Sequence, residues 1–227
     1  MLFRSLGTPG LDILAKADGS PITSADQVDI KCEGNGIKFN LRLKKSAALL
    51  DTSNNPIDFD IGIPGLGLSV DGNVKIEIGF DLKLKFAITA TDGFYFDTSD
   101  PEELRVDFSL TIPGLKAKGQ LLFLQLELMD ESDGVSLAGD PRESSHFTGY
   151  FSVDLKDPIG SGNKLTVADM TSAGFSFDKF IHAELGADAN LALDIILSFG
   201  GDARFPRLLA EFDLHWHWVL GGDSEGE

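Results

Sequence analysis

Four polar residues near the C-terminus have the types and the spacing of a zinc site. Segments 181–199 and 208–218 alternate apolar and polar residues, as long β-strands do. If Gly200-Gly201 closes a hairpin, residues whose numbers sum to about 401 face each other, which places His217 opposite Glu184. The candidate zinc ligands are His182, Glu184, His215 and His217. The alternative is that these residues are simply the polar positions of an amphipathic strand.

A second candidate metal site lies between Asp154 and Asp169. A calcium loop of the EF-hand type needs oxygen ligands at alternate positions, a glycine at its sharp turn and a carboxylate at its twelfth position. Ile159 stands where a ligand is expected, and Asp169 comes one residue late. A plain glycine-rich turn is therefore the alternative. The candidate calcium ligands are Asp157, Ser161, Asn163 and Asp169.

Motifs of catalysis are missing from the chain. The sequence contains no Gly-x-Ser-x-Gly, no phosphate loop that ends in Gly-Lys-Ser/Thr, no His-Glu-x-x-His and no dinucleotide fingerprint. Its carboxylates fall in turns and at polar strand positions, where solvated surface is the ordinary explanation. We therefore expect no enzyme activity, no catalytic residue and no bound cofactor other than calcium.

The composition restricts the partners. With 36 acidic and 19 basic residues among 227, the formal net charge is −17. Such a chain repels nucleic acid and anionic membrane surfaces, whereas divalent cations would relieve its self-repulsion. Cys32 is the only cysteine, so no disulfide can form within the chain.

The segment Val74–Ile88 indicates the fold. Its even-numbered residues are apolar and its odd-numbered residues are almost all charged, which is typical of a half-buried strand. No segment has a sustained helical period that could cover the apolar face with helices. The sequence therefore predicts an all-β fold: a long-stranded, kinked and strongly curled antiparallel sheet that forms a barrel, an elongated sandwich or a groove.

Turn residues divide the rest of the chain. Gly34-Asn35-Gly36 predicts a hairpin within Val28–Leu43. The phase of the apolar residues shifts at Pro64-Gly65 and again at Pro113-Gly114, as a β-bulge or kink would produce.

The two Ile-Pro-Gly-Leu segments look like copies of one another, and we predict three internal repeats. The predicted organisation is an N-terminal extension, one all-β domain with these repeats, and a flexible acidic tail. The ranges are 1–26 for the extension, 27–219 for the domain, 57–90, 104–129 and 181–219 for the repeats, and 220–227 for the tail.

Three segments carry a resemblance to a known class of protein. The runs Phe59–Leu68, Val70–Val74 and Asp92–Ser99 resemble the repeating modules of very large secreted bacterial proteins of the adhesin and exoprotein type. The resemblance spans about residues 27–218, and it implies an extracellular or cell-surface module that is often calcium-dependent. The Gly-Gly-x-Gly-x-Asp calcium repeat of such proteins is absent here.

These observations favour a non-catalytic structural or interaction module of a large secreted or cell-surface protein. The alternative function is a carrier that holds a lipid or another apolar ligand inside a β-barrel or groove. The N-terminus lacks the apolar core of a signal peptide, and no run is long enough for a membrane helix.

The last strand predicts how such modules associate. Leu208–Trp218 contains neither lysine nor proline, the residues that usually blunt a free sheet edge. We expect Val28–Leu43 of a neighbouring module or of a second subunit to pair with it by strand addition. The alternative is that the same two strands close a barrel within one chain.

Overall fold

The computed structural model describes residues 5–7, 10–63, 66–130, 145–159, 162–199 and 206–221. Within these ranges the protein is all-β, with 64% strand and one large antiparallel sheet. A short 3₁₀-helix (Ala25–Gln27) and two single-turn helices, α1 (Val167–Met170) and α2 (Phe177–Phe180), connect strands. The strands are β1 (Leu14–Ala15), β2 (Asp29–Glu33), β3 (Gly36–Asp51), β4 (Ile57–Ile63), β5 (Leu66–Gly72), β6 (Lys75–Thr89), β7 (Gly93–Asp97), β8 (Leu104–Thr111), β9 (Lys116–Leu121), β10 (Leu124–Asp130), β11 (His146–Leu155), β12 (Lys164–Thr166), β13 (Ile181–Phe199) and β14 (Leu208–Gly221).

The sheet is a meander of long rows. Consecutive strands join end to end, so that β3 with β4, β5 with β6, β8 with β9, and β10 with β11 each form one row. The single strands β13 and β14 form the last two rows. Each row pairs antiparallel with the row before it in the chain. Neighbours in sequence are therefore neighbours in space, and the short strands β1, β2, β7 and β12 lie outside these rows.

The two faces of the sheet differ in chemistry, as the alternation predicts. Cross-strand partners lie on the same face, so Ile78 shares a face with Phe108, and Glu77 shares the other with Ser109. We call these the apolar face and the charged face. The apolar face of the central rows carries Ile78, Phe80, Leu82, Val106, Phe108, Phe147, Phe151, Leu185, Leu191, Trp216 and Trp218.

Several predicted elements are confirmed. The long strand predicted at Val74–Ile88 is β6, and the predicted N-terminal hairpin is formed by β2 and β3, in which Glu33 pairs with Gly36. The shift at Pro113-Gly114 is an irregularity between β8 and β9 within one row, and Gly114 has a φ of 70° there. Only glycine adopts this conformation without strain.

The prediction of a kink at Pro64-Gly65 is wrong. Ile63 pairs with Leu66, so the chain reverses between β4 and β5, which form a hairpin. Residues 64 and 65 themselves lie outside the described ranges. A two-residue reversal and a one-residue bulge both shift the phase of the apolar positions by one, so the alternation alone did not separate them.

The prediction of a strongly curled sheet is also wrong. The sheet is neither closed nor strongly curled, because β14 pairs with β13 alone and does not reach the first rows. The barrel, groove and sandwich forms therefore do not describe it. Substantial contacts between described elements join ladder neighbours, with the two helices touching β7, β12 and β13. The result is a single layer.

A tyrosine covers a glycine on the charged face. Tyr150 pairs with Gly186, and its ring lies where a side chain at Gly186 would stand. The phenolic hydroxyl donates to Glu184, which raises the pKa of Tyr150. The guanidinium of Arg105 lies 4.3 Å from the centre of the ring, within cation–π range. The glycine thus makes room for a contact that joins three rows.

We expect Gly186→Ala to destabilise the fold by about 1–3 kcal/mol, because the new methyl group must displace the Tyr150 ring. Gly149→Ala is the matched control, since a Cβ there meets only the carbonyl of Gly186, at 3.5 Å. Urea unfolding of both variants tests this. Equal losses of unfolding free energy in the two variants would contradict the role of the tyrosine.

Candidate functional site

The apolar face is the most unusual surface of the protein. Its large side chains remain open to solvent from the second row to the last, with Ile78 38%, Leu185 42% and Trp216 48% exposed. The largest fully buried side chains among the described residues, Ile22 and Leu165, lie outside the long rows. Within the described part of the chain, the large buried side chains thus lie beside the long rows, whereas the apolar face of the rows has no covering layer.

The total surface area is large for a chain of this mass. The chain exposes 14339 Å², whereas a folded monomer of 24.4 kDa exposes about 10,000 Å². The excess is roughly 4,000 Å². Contiguous apolar patches beyond a few hundred Å² mark interaction sites in soluble proteins. We therefore regard the apolar face as the candidate functional site.

The charged face is satisfied by its own ion pairs. The Nε atom of Arg42 on β3 lies 2.9 Å from a carboxylate oxygen of Asp81 on β6, and this hydrogen bond lowers the pKa of Asp81. Lys38 similarly contacts Asp97 at 2.6 Å. Such pairs hold neighbouring rows in register and need no ligand.

The predicted zinc ligands do not come together. His217 pairs with Asp188, while Glu184 pairs with Gly221, so the predicted register is wrong by four residues, about 13 Å along the strand. Leu208 is the first residue of β14 because Pro206 cannot donate to the ladder. The connection is therefore longer than a turn at Gly200-Gly201, and residues 200–205 lie outside the described ranges. His182 instead contacts the carbonyl of Lys179 at 3.2 Å.

Three histidines surround Asp188 instead. His215 lies 2.8 Å from one carboxylate oxygen and His217 3.4 Å from the same oxygen, while His146 lies 3.5 Å from the other. The hydrogen bond from His215 lowers the pKa of Asp188. The ring nitrogens thus contact the carboxylate oxygens themselves. Accordingly, no group of three or more metal-binding side chains in the described part of the chain is arranged to hold a metal ion.

The predicted calcium ligands have other partners. One carboxylate oxygen of Asp169 accepts hydrogen bonds from the backbone and hydroxyl of Thr166, closing a capping box at the start of α1. Asp157 accepts from the backbone of Ile159 in a turn. The carbonyl of Asn163 accepts from Thr98, and Ser161 lies outside the described residues. Calcium binding at Asp157, Ser161, Asn163 and Asp169 stays a prediction.

A buried acid joins three rows at the start of β8. Glu103 is 4% exposed, and its carboxylate accepts a hydrogen bond from the backbone of Leu155 at 2.6 Å. Its own backbone bonds to Val153 and Lys83. Burial, together with the nearby charges of Asp154 and Asp100, raises the pKa of Glu103 to about 7, although the hydrogen bond from Leu155 opposes the shift.

Comparisons of the chain with protein-family models, with curated proteins and with solved structures give no match. None of the helices in the described ranges is both long enough and apolar enough to span a membrane.

Two features of the site were missed from the sequence. Asp188 lies in the same phase of β13 as His182 and Glu184, so a register longer by four residues would have identified it. The burial of Glu103 gives no such signal, because Glu102 beside it remains partly exposed and bonds to Arg105. Adjacent acidic residues before a strand do not reveal which one turns inward.

Glu103 predicts a specific dependence of stability on pH. The folded chain holds a proton that the unfolded chain releases between about pH 4.5 and pH 7, so the free energy of unfolding falls as pH rises through this window. We expect Glu103→Gln to remove this loss, which amounts to about 3 kcal/mol at most. Urea unfolding from pH 4 to pH 8 measures it, with Glu102→Gln as the control. Parallel curves for wild type and Glu103→Gln would contradict the burial of this acid.

Proposed function

We propose that the chain is a non-catalytic structural or interaction module of a large secreted or cell-surface protein. The observation that supports this proposal is the uncovered apolar face of a one-layer sheet. A sheet with one apolar face is stable in water when another layer covers that face. Since the described elements supply no second layer, the covering surface must come from outside this sheet.

The open sheet favours a module over a carrier. A carrier needs an interior that surrounds most of its ligand, and the sheet neither closes nor curls strongly. The side chains with paired charges lie on the other face, away from the candidate site. A secreted or surface location rests on the resemblance of Phe59–Leu68 and its neighbours to adhesin-type repeats.

Native mass spectrometry after gentle extraction tests the module against the carrier. A module gives masses that are whole multiples of 24.4 kDa, or a complex with another protein. A reproducible added mass of lipid size on the single chain would overturn the proposal and establish the carrier.

The free edge of the sheet provides a second means of association. All 14 residues of β14 are exposed, and within the described sheet this strand pairs with β13 alone. Residues 36–43 of β3 already have β6 on one side and β1 and β2 on the other. Near the predicted segment, a neighbouring module can therefore offer the outer edge of β2, or residues 44–51 of β3, for strand addition to β14.

Two proline variants test this strand addition. Along a strand, successive N–H groups point to opposite sides. One of the two variants Ala210→Pro and Glu211→Pro therefore removes a hydrogen bond to β13, and the other removes an N–H donor that points away from the sheet. We expect the variant that removes the outward donor to retain the wild-type melting temperature and to reduce association through this edge in sedimentation experiments. If neither variant reduces such association, the edge is not used.

Calcium should stabilise this acidic module. A net charge of −17 destabilises the compact state, and cations that bind the folded chain shift the equilibrium toward it. We expect millimolar calcium chloride to raise the melting temperature, and Asp157→Asn to reduce that rise. Sodium chloride of equal ionic strength is the control, because an equal rise would mean screening without a site.

A further inference from the structure

We propose that the apolar face of the sheet is covered by the apolar face of a second copy of this chain, so that two sheets form a sandwich. This inference rests on the proposed function and names its partner. The two sheets would stack about 10 Å apart, with their rows crossing at a small angle. The charged faces would then form the two outer surfaces.

The exposed area fits a homodimer. Obligate homodimers bury 2,000–5,000 Å² in total, or about 1,000–2,500 Å² from each subunit. Each chain exposes roughly 4,000 Å² more than a monomer of its mass should, so the excess is sufficient for such an interface. A two-fold interface also uses the same patch on both subunits, and the apolar face is such a patch.

The distribution of charge allows two copies to meet despite the net charge of −17. On β3, the apolar face carries one charged side chain, that of Lys45. On β6, β8, β11, β13 and β14, the apolar face carries no charged side chain. The carboxylates on β3, β6, β8, β11, β13 and β14, such as Asp81 and Asp188, lie on the other face. Asp130 of β10 pairs with Leu193 and so belongs to the apolar face by register, but it is 3% exposed and accepts a hydrogen bond from the backbone of Ser145. Stacking through the apolar face therefore brings no exposed carboxylates of these strands together. Exposed charges farther apart than about 10 Å are largely screened at physiological salt.

The shape of the apolar face is complementary to the same face of a second copy. Across three rows, Phe147 pairs with Ala189 and Ala189 with Trp216. Small side chains on β13 thus lie between aromatic side chains on β11 and β14. Aromatic rings of one copy can pack over the small residues of the other, as inner faces of a sandwich interdigitate.

Sedimentation velocity of the purified chain over a range of concentrations tests this proposal. We expect a dimer of twice 24.4 kDa. Ile78→Glu and Leu185→Glu each place a charge in the interface, and both should weaken dimerisation by at least about 100-fold. Ser46→Glu is the matched control, because Ser46 lies across from Gly79, beside Ile78 but on the charged face, and should leave dimerisation unchanged.

Circular dichroism establishes that each variant is folded. If Ile78→Glu fails to fold, Ile78→Ala replaces it and should still weaken the dimer several-fold, with Ser46→Ala as its control. A wild-type chain that stays monomeric at all concentrations would overturn the proposal that a second copy covers the apolar face. If the monomer forms a complex with another protein instead, the proposed function of an interaction module still holds. A dimer that both apolar-face variants preserve would also overturn it. A lipid-sized added mass on the monomer would overturn both proposals.

Discussion

The structure depends on the strict alternation of apolar and charged residues along very long strands. Because successive side chains point to opposite faces, this alternation gives every row one apolar face and one charged face. Cross-strand pairs such as Phe39 with Phe86, whose rings stack 4.8 Å apart, then align the apolar faces of neighbouring rows. Ion pairs such as Arg42 with Asp81 do the same on the other face. The consequence is a broad single layer whose hydrophobic side is not covered by any other element in the described ranges.

The all-β fold class and the pairing of the N-terminal hairpin could be predicted from the sequence. β6 and the hairpin of β2 and β3 follow from the alternation and from Gly34-Asn35-Gly36, since both signals are local. The curvature could not be predicted in this way. The same alternation lines the inside of a barrel, the inner faces of a sandwich and one side of an open sheet, so the pattern specifies which face is apolar and leaves its cover undetermined.

The candidate site was recognised only in part for a related reason. The apolar residues of the face were identified, but the pattern predicts that they are buried, whereas Leu185 and Trp216 remain about half exposed. The histidines depended on the register of β13 with β14, which the length of the connection decides. Because the observed register differs from the predicted one by four residues, His217 lies opposite Asp188 instead of Glu184. His146 on β11 then contacts the same carboxylate.

The intrinsic fluorescence of the two tryptophans tests the central claim most directly. Trp216 and Trp218 are the only tryptophans in the chain, and both lie on the apolar face of β14, 48% and 39% exposed. As concentration rises from a dilution at which the chain is monomeric, their emission should shift to shorter wavelength and acrylamide quenching should decrease. Emission and quenching that stay the same while the chain associates, or tryptophans already shielded in the monomer, would contradict an apolar face that is covered only by assembly.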